Sequence, residues 1–387
     1  MKNLFLFITL FALLSPLYGE ILESPTWGFR IDLPEGYEYY DGDGKNRFSF
    51  EAPSGAIFDI AVYDNVYKTM KDMVDDVNLR LKNLGDVSFF EYRDKLAALI
   101  ELQFDEYKGW ALCVELEKKE GNANTPLLLA LAYGKAGVRD MDLYHLCALD
   151  SIVPSKAELH YPGPIMEFGY PRGEQVKVKL AQTDLEVWIR ENDMEAAQAL
   201  VDREFALLRR YAFLDNWQEA WIRFYRAIYR DSWDRLTDPV FQLERKWQVP
   251  EGNPGSNEAR RQTPAQEENI SLARKALGWV QGFQYERDLQ GSDFVNLVSA
   301  ATEGRGDCDS RAMLFALILD QANIPAAIMV SREHSHAMGL ADITGQGARF
   351  EAGGTKWLVA ETTAHVDIGL IAEDVSDIES WIGVVFE

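Results

Sequence analysis

Cysteine and histidine are scarce in this chain. Among 387 residues there are three cysteines, Cys113, Cys147 and Cys308, and five histidines. A disulfide-built scaffold is excluded at that density, and no dense Cys/His set offers a structural metal site or calls for a cofactor. Positive charge is also in deficit: 39 Lys and Arg against 62 Asp and Glu leave a formal charge of −23. Nucleic acid is therefore not an expected partner, because no basic surface is available to neutralise phosphates. The acidic balance fits a solvated, exported surface. After residue 19 no stretch approaches the roughly twenty apolar residues of a membrane helix, so no stable membrane insertion is expected. What is abundant is core material, with 47% apolar and 12% aromatic residues, enough for two or three domains.

Residues 1–19 join one lysine, Lys2, to an almost wholly apolar run from Leu4 to Leu14, then Ser15-Pro16-Leu17-Tyr18-Gly19. That pattern reads as a secretory signal peptide, with cleavage expected after Gly19 and an exported, periplasmic or extracellular, mature protein; an uncleaved N-terminal anchor is the alternative reading. Residues 20–153 read as an α+β module. Alternating strands are expected near 28–34, 47–51, 56–63, 95–104, 109–117, 126–133 and 144–149, with one helix at 70–81 carried by Met70, Met73, Val74, Val77 and Leu81. Cys113 and Cys147 could pair within this module, leaving Cys308 alone. The order of elements, with Phe29-Arg30-Ile31-Asp32-Leu33-Pro34 and Ser54-Gly55, resembles the PsbP-like fold, a resemblance that brings no catalytic residues.

Residues 154–183 are rich in proline and glycine and read as a linker or docking segment; 184–265 read as a helical region. Its second helix carries Trp217, Trp221, Phe224, Tyr225, Tyr229 and Trp233, a stripe that suits core packing first and a glycan or peptide platform second. An exposed loop is expected at 250–264.

The last unit, 266–387, centres on Gly304-Arg305-Gly306-Asp307-Cys308-Asp309 running into Met313-Leu314-Phe315-Ala316-Leu317-Ile318-Leu319. A cysteine that closes a glycine turn and opens an apolar helix has its sulfur at a helix N-terminus, where free N–H groups favour thiolate. A small buried residue at a helix start gives the same pattern. Downstream, His336 and then Glu361 stand on strand-like segments, in the order nucleophile, base, acid.

Residues 269–370 resemble the transglutaminase-like superfamily of papain-related cysteine enzymes. The likeness rests on Gly306-Asp307-Cys308-Asp309, on Asn323-Ile324-Pro325-Ala326, on His336-Ala337, on Trp357 with Glu361-Thr362, and on Tyr285 ahead of the cysteine. The resemblance implies an α+β unit in which a helix packs on an antiparallel sheet. It also implies Cys308 as nucleophile, His336 as base, Glu361 as the carboxylate that orients the imidazole, and the Cys308 N–H as part of an oxyanion hole. The family commonly has aspartate where Glu361 stands and a bulky aromatic where Met338 stands.

Accessory candidates are His334, Asp307 and Tyr285. His334, two residues before His336, would share its face of a strand, and His365 lies four residues past Glu361. The His-x-His spacing with Asp342, Glu361 or His365 is also a zinc spacing. Asp309 suits the first turn of a helix, yet two carboxylates flanking Cys308 would oppose thiolate formation. Two functions follow from the sequence. One is an exported cysteine enzyme transferring acyl groups from amides of a protein or peptide substrate, by hydrolysis or transamidation. The other is a catalytically silent binding or scaffolding protein of the cell envelope.

Overall fold

The computed structural model describes residues 21–118, 121, 123–248, 265–287, 292 and 294–386. The expected signal peptide and the expected loop at 250–264 lie outside the described residues. The protein is mixed α+β. Its first part opens with a two-stranded pair, β1 (Leu22–Glu23) and β2 (Arg30–Ile31). A seven-stranded antiparallel sheet follows: β3 (Glu38–Gly42), β4 (Arg47–Glu51), β5 (Ile57–Tyr63), β6 (Val87–Tyr92), β7 (Lys95–Phe104), β8 (Tyr107–Glu115) and β9 (Leu127–Lys135), in the order β3-β4-β5-β9-β8-β7-β6. Helix α1 (Met70–Leu81) follows β5 and is closed by a capping box between Thr69 and Asp72. Its Met70, Met73, Val74 and Val77 cover one face of the sheet. Helix α2 (Met141–Asp150) covers the other face with Ala148 and Leu149.

Two expectations fail in this part. Residues 144–149 are helical: the run is apolar enough for a buried strand, but α2 lies with Cys147 against a further helix and Ala148 and Leu149 against the sheet, the all-round burial of a sandwiched helix. All three cysteines are free thiols. Cys113 faces α1 and Cys147 faces away on the far side of α2, so the sheet stands between the two sulfurs.

The 154–183 segment is largely ordered, with α3 (Pro164–Gly169) and β10 (Gln175–Lys179), and β10 pairs with β11 (Glu186–Arg190) across the boundary expected at 183. Helices α4 (Asp193–Tyr211), α5 (Trp217–Arg235), α6 (Thr237–Gln248) and α7 (Ala265–Gln281) follow, then β12 (Gln284–Tyr285), α8 (Leu297–Glu303), β13 (Arg305–Gly306) and α9 (Cys308–Gln321). A second antiparallel sheet is built from β14 (Ala326–Ser331), β15 (His336–Ala341), β16 (Arg349–Ala352), β17 (Thr355–Ala360) and β18 (Ile382–Val385), in the order β16-β17-β15-β14-β18. One hydrophobic cluster runs from Leu180 to Phe386 through α4–α9 and this sheet, so the expected helical region and C-terminal unit share a core. Alternation along β15 divides it between two layers: Ala337 and Ala341 face α9, while Met338 and Leu340 join Trp357 and Trp381 on the outer side. Gly339 also faces α9, where a Cβ would come within 2.4 Å of Phe315.

Helix α5 joins the two parts, and its sequence explains how. Arg223, Arg226 and Arg230, spaced three and four apart, form one face. Arg223 meets Glu204 at 2.9 Å and Glu35 at 3.5 Å, and Arg226 meets Asp32 at 3.2 Å. Arg230 donates to the carbonyls of Tyr161, Asp150 and Ile152 and to the Tyr92 hydroxyl. On the neighbouring face Phe224, Tyr225, Ile228 and Tyr229 enter the C-terminal core. Removing the Arg230 guanidinium strands these buried carbonyls. Arg230→Ala is expected to lower stability by about 3 kcal/mol in denaturant titration, with the loss reporting the junction between the two parts.

Candidate active site

Cys308 is the first residue of α9, and the turn before it is built for a tight entry. Gly304 ends α8 at φ +69°, where its N–H returns to the Ala300 carbonyl. Strand β13 then pairs in parallel with β12, setting Tyr285 opposite Gly306. Arg311, 2% exposed, fixes this junction by donating to the Gly306 and Phe283 carbonyls, and its guanidinium stacks 5.5 Å from the Tyr285 ring. Asp307 is the N-cap: its Oδ1 accepts from the Ser310 N–H at 2.8 Å and the Ser310 hydroxyl at 2.7 Å. Asp309 stands in the first turn of the helix, as the sequence suggests, one residue inside the start that Asp307 caps.

Asp309 turns elsewhere. Its Oδ1 accepts from the Tyr225 hydroxyl of α5 at 2.6 Å, and its Oδ2 lies 3.8 Å from the Cys308 sulfur. Tyr229, one turn further along α5, donates to Asp320 near the other end of α9, so α5 holds α9 by a tyrosine at each end.

His336 opens β15 and Glu361 follows the last residue of β17, so both stand at strand ends on the rim of the sheet. His336 Nε2 is 2.8 Å from Glu361 Oε2. The other carboxylate oxygen, Oε1, accepts from the Thr363 N–H at 2.6 Å, the Thr363 hydroxyl at 2.5 Å and the Ala364 N–H at 3.3 Å. Gln281 of α7 donates to the Glu361 and Val366 carbonyls, fastening the segment that carries the acid. Burial alone would raise the Glu361 carboxyl, but hydrogen bonds from His336 and Thr363 outweigh it and hold the group at about 2. An ionised carboxylate only accepts, so Nε2 carries the proton of this bond.

The thiol has the opposite environment. Cys308 is 2% exposed. Burial first, then the charges of Asp309 and Asp307, push its ionisation well above the ordinary thiol range, against a hydrogen bond from the Ala337 N–H. That Ala337 amide, adjacent to His336, marks where the helix start meets the strand start. The resting site therefore holds a neutral thiol bonded to the amide that follows His336, whose imidazole is oriented by an anion.

Of the accessory candidates, His334 lies in the turn before β15 rather than on the strand, because Ser335 at φ +46° breaks the extended run. Its ring stacks on Trp381 at 5.6 Å, while His336 meets the same indole edge-on at 6.1 Å. Tyr285 is 48% exposed beside the cysteine turn. His365 and Asp342 are both exposed. Among the described residues no group of three or more His, Cys, Asp and Glu side chains is arranged to hold a metal ion. No helix among them is long and apolar enough to cross a membrane. Residues that sequence reasoning passed over are Thr363, Arg311, Trp381 and Tyr225. Thr363 had a local signal, a hydroxyl two residues after an acid; Tyr225 had none. The chain matches no protein-family model and no curated protein.

Glu361 gives stability a defined acid limb. Its depressed carboxyl contributes fully above the ordinary value of 4.5, and that contribution drains away as pH falls toward about 2. Glu361→Gln should therefore be less stable than the parent near neutral pH and converge with it as the pH falls toward about 2. Chemical-denaturation midpoints across that range check this; parallel curves at all pH values would contradict it.

Proposed function

We propose that the protein is an exported, cysteine-dependent acyl-transfer enzyme of transglutaminase-like type, acting on amide bonds of peptides or protein side chains. The observation that carries this reading is the 2.8 Å His336–Glu361 pair with the remaining carboxylate oxygen saturated by Thr363 and Ala364, beside a cysteine at a helix N-terminus. Such a pair is a base held in one tautomer with its free lone pair at Nδ1. In the reaction the Cys308 proton passes to Nδ1 and the sulfur attacks the amide carbonyl carbon. The leaving amine takes the proton back from the imidazolium as the C–N bond breaks, giving a thioester. Water, deprotonated by His336, then releases the acid; an amine in its place would give transamidation. Hydrolysis is the simpler outcome because it needs no second organic substrate.

A second reading has its own support. The nearly complete burial of Cys308 and the two acids beside it are what a silent, structural cysteine would show. The two readings separate by thiol reactivity. At about pH 6 an iodoacetamide probe is expected to label Cys308 faster than free cysteine. His336→Ala should slow it about a hundredfold or more, and Cys308→Ala should remove the label. His334→Ala should keep most of the reactivity, since its ring only stacks on Trp381. A Cys308 no more reactive than free cysteine and indifferent to His336 supports the scaffold.

A further inference from the structure

Asp309 is left unexplained by a Cys-His-Glu mechanism. It does not cap its helix, and it brings a carboxyl 3.8 Å from the nucleophilic sulfur, where an anion opposes the thiolate the mechanism needs. Its other oxygen is committed to Tyr225, which is itself buried and reaches in from a helix 84 positions earlier in the chain. A phenol brought that far to one oxygen fixes the carboxyl in a single orientation and leaves the second oxygen facing sulfur.

We propose that Asp309 is the second acid of the site: with Oδ1 held by Tyr225, its protonated Oδ2 donates a hydrogen bond to the Cys308 sulfur once the thiol proton has moved to His336. This rests on the thiol–imidazole reading above. The balance is simple. One proton moves from sulfur to Nδ1, the Asp309 proton stays on Oδ2, and the bond between them reverses from S–H···O to O–H···S⁻. The acid that would block the nucleophile when ionised supports it when neutral.

The surroundings favour the neutral acid. The groups facing the Asp309–Cys308 pair are Tyr225 from α5, His336 from β15, Asp307 on their own helix, Tyr285 of β12, Arg287 just beyond it, and Arg311. Burial raises the Asp309 carboxyl above the usual carboxylate range, although Tyr225 and His336 pull against it. Reactivity that depends on His336 should accordingly decline as pH rises through the Asp309 ionisation, giving the site an acid-favoured window.

The test is the rate of iodoacetamide labelling at Cys308 from about pH 4 to about pH 9 in the mature chain, read by peptide mass spectrometry. Asp309→Asn keeps a donor and cannot ionise. It should lose the declining limb and label at least about tenfold faster than the parent on the alkaline side. Asp309→Ala lacks the donor and should be slower than Asp309→Asn throughout. Tyr225→Phe removes a hydrogen bond that favours the ionised carboxylate, so the declining limb should move to higher pH. Should an Asp309 variant fail to fold, the Tyr225→Phe profile decides alone. Parent-like profiles in Asp309→Asn and Tyr225→Phe, with labelling still dependent on His336, overturn the role of Asp309 and leave the enzyme reading standing. Labelling indifferent to His336 in every variant overturns both.

Discussion

The site depends on how α5 is held. This helix places arginines on one face and aromatic residues on the next. The arginines are anchored by Glu204, Glu35 and Asp32 and by a set of backbone carbonyls, while the aromatic face reaches α9 through Tyr225 and Tyr229. Buried arginines are costly unless their charge is paired, and these ion pairs and carbonyl contacts fix the rotation of α5 about its axis. Rotation in turn decides where the Tyr225 hydroxyl points. The first part of the chain contains no residue of the candidate site, yet by gripping α5 it sets the environment of Cys308.

Two carboxyls then meet the reactive groups in contrasting ways. Glu361 receives hydrogen bonds on both oxygens, which hold its carboxyl down at about 2; Asp309 receives one on Oδ1, and desolvation holds it above the usual range. Carboxyls whose environments push them apart are how one site keeps an anion and a neutral acid at the same pH. The anion orients the imidazole through Nε2 and stands away from sulfur. The neutral acid stands against sulfur, where a negative charge would be harmful. Exchanging the two environments would leave the imidazole unsupported and the thiol suppressed.

Much of this was legible in the chain. Helices at 70–81 and 308–321 and strands such as 95–104 follow from apolar spacing. The order Cys308, His336, Glu361 was likewise legible, because each sits at an element end marked by local chemistry. Residues 144–149 carry a strand-like pattern because an enclosed helix loses the polar stripe that identifies it. Strand β18 was passed over, being a short four-residue edge at the chain end that pairs with β14 only through long-range contact. In the sequence Tyr225 is one member of an aromatic stripe. Its tie to Asp309 is a tertiary fact with no trace in local sequence.

The two departures from the expected family pattern have a common physical account. Glu361 is one methylene longer than aspartate. With that reach its carboxylate spans from the Thr363 and Ala364 amides to His336 Nε2 while its own backbone carbonyl stays tied to Gln281. Met338 stands where a bulky aromatic is usual, and it is fully buried in the outer layer beside Trp357 and Trp381. Trp381 supplies the missing aromatic surface from another direction: its indole, tied to the Val375 carbonyl, stacks on His334 and meets His336 edge-on. An imidazole so placed is limited on one side by a ring and on another by a carboxylate. Glu361 and Trp381 together supply the support of His336.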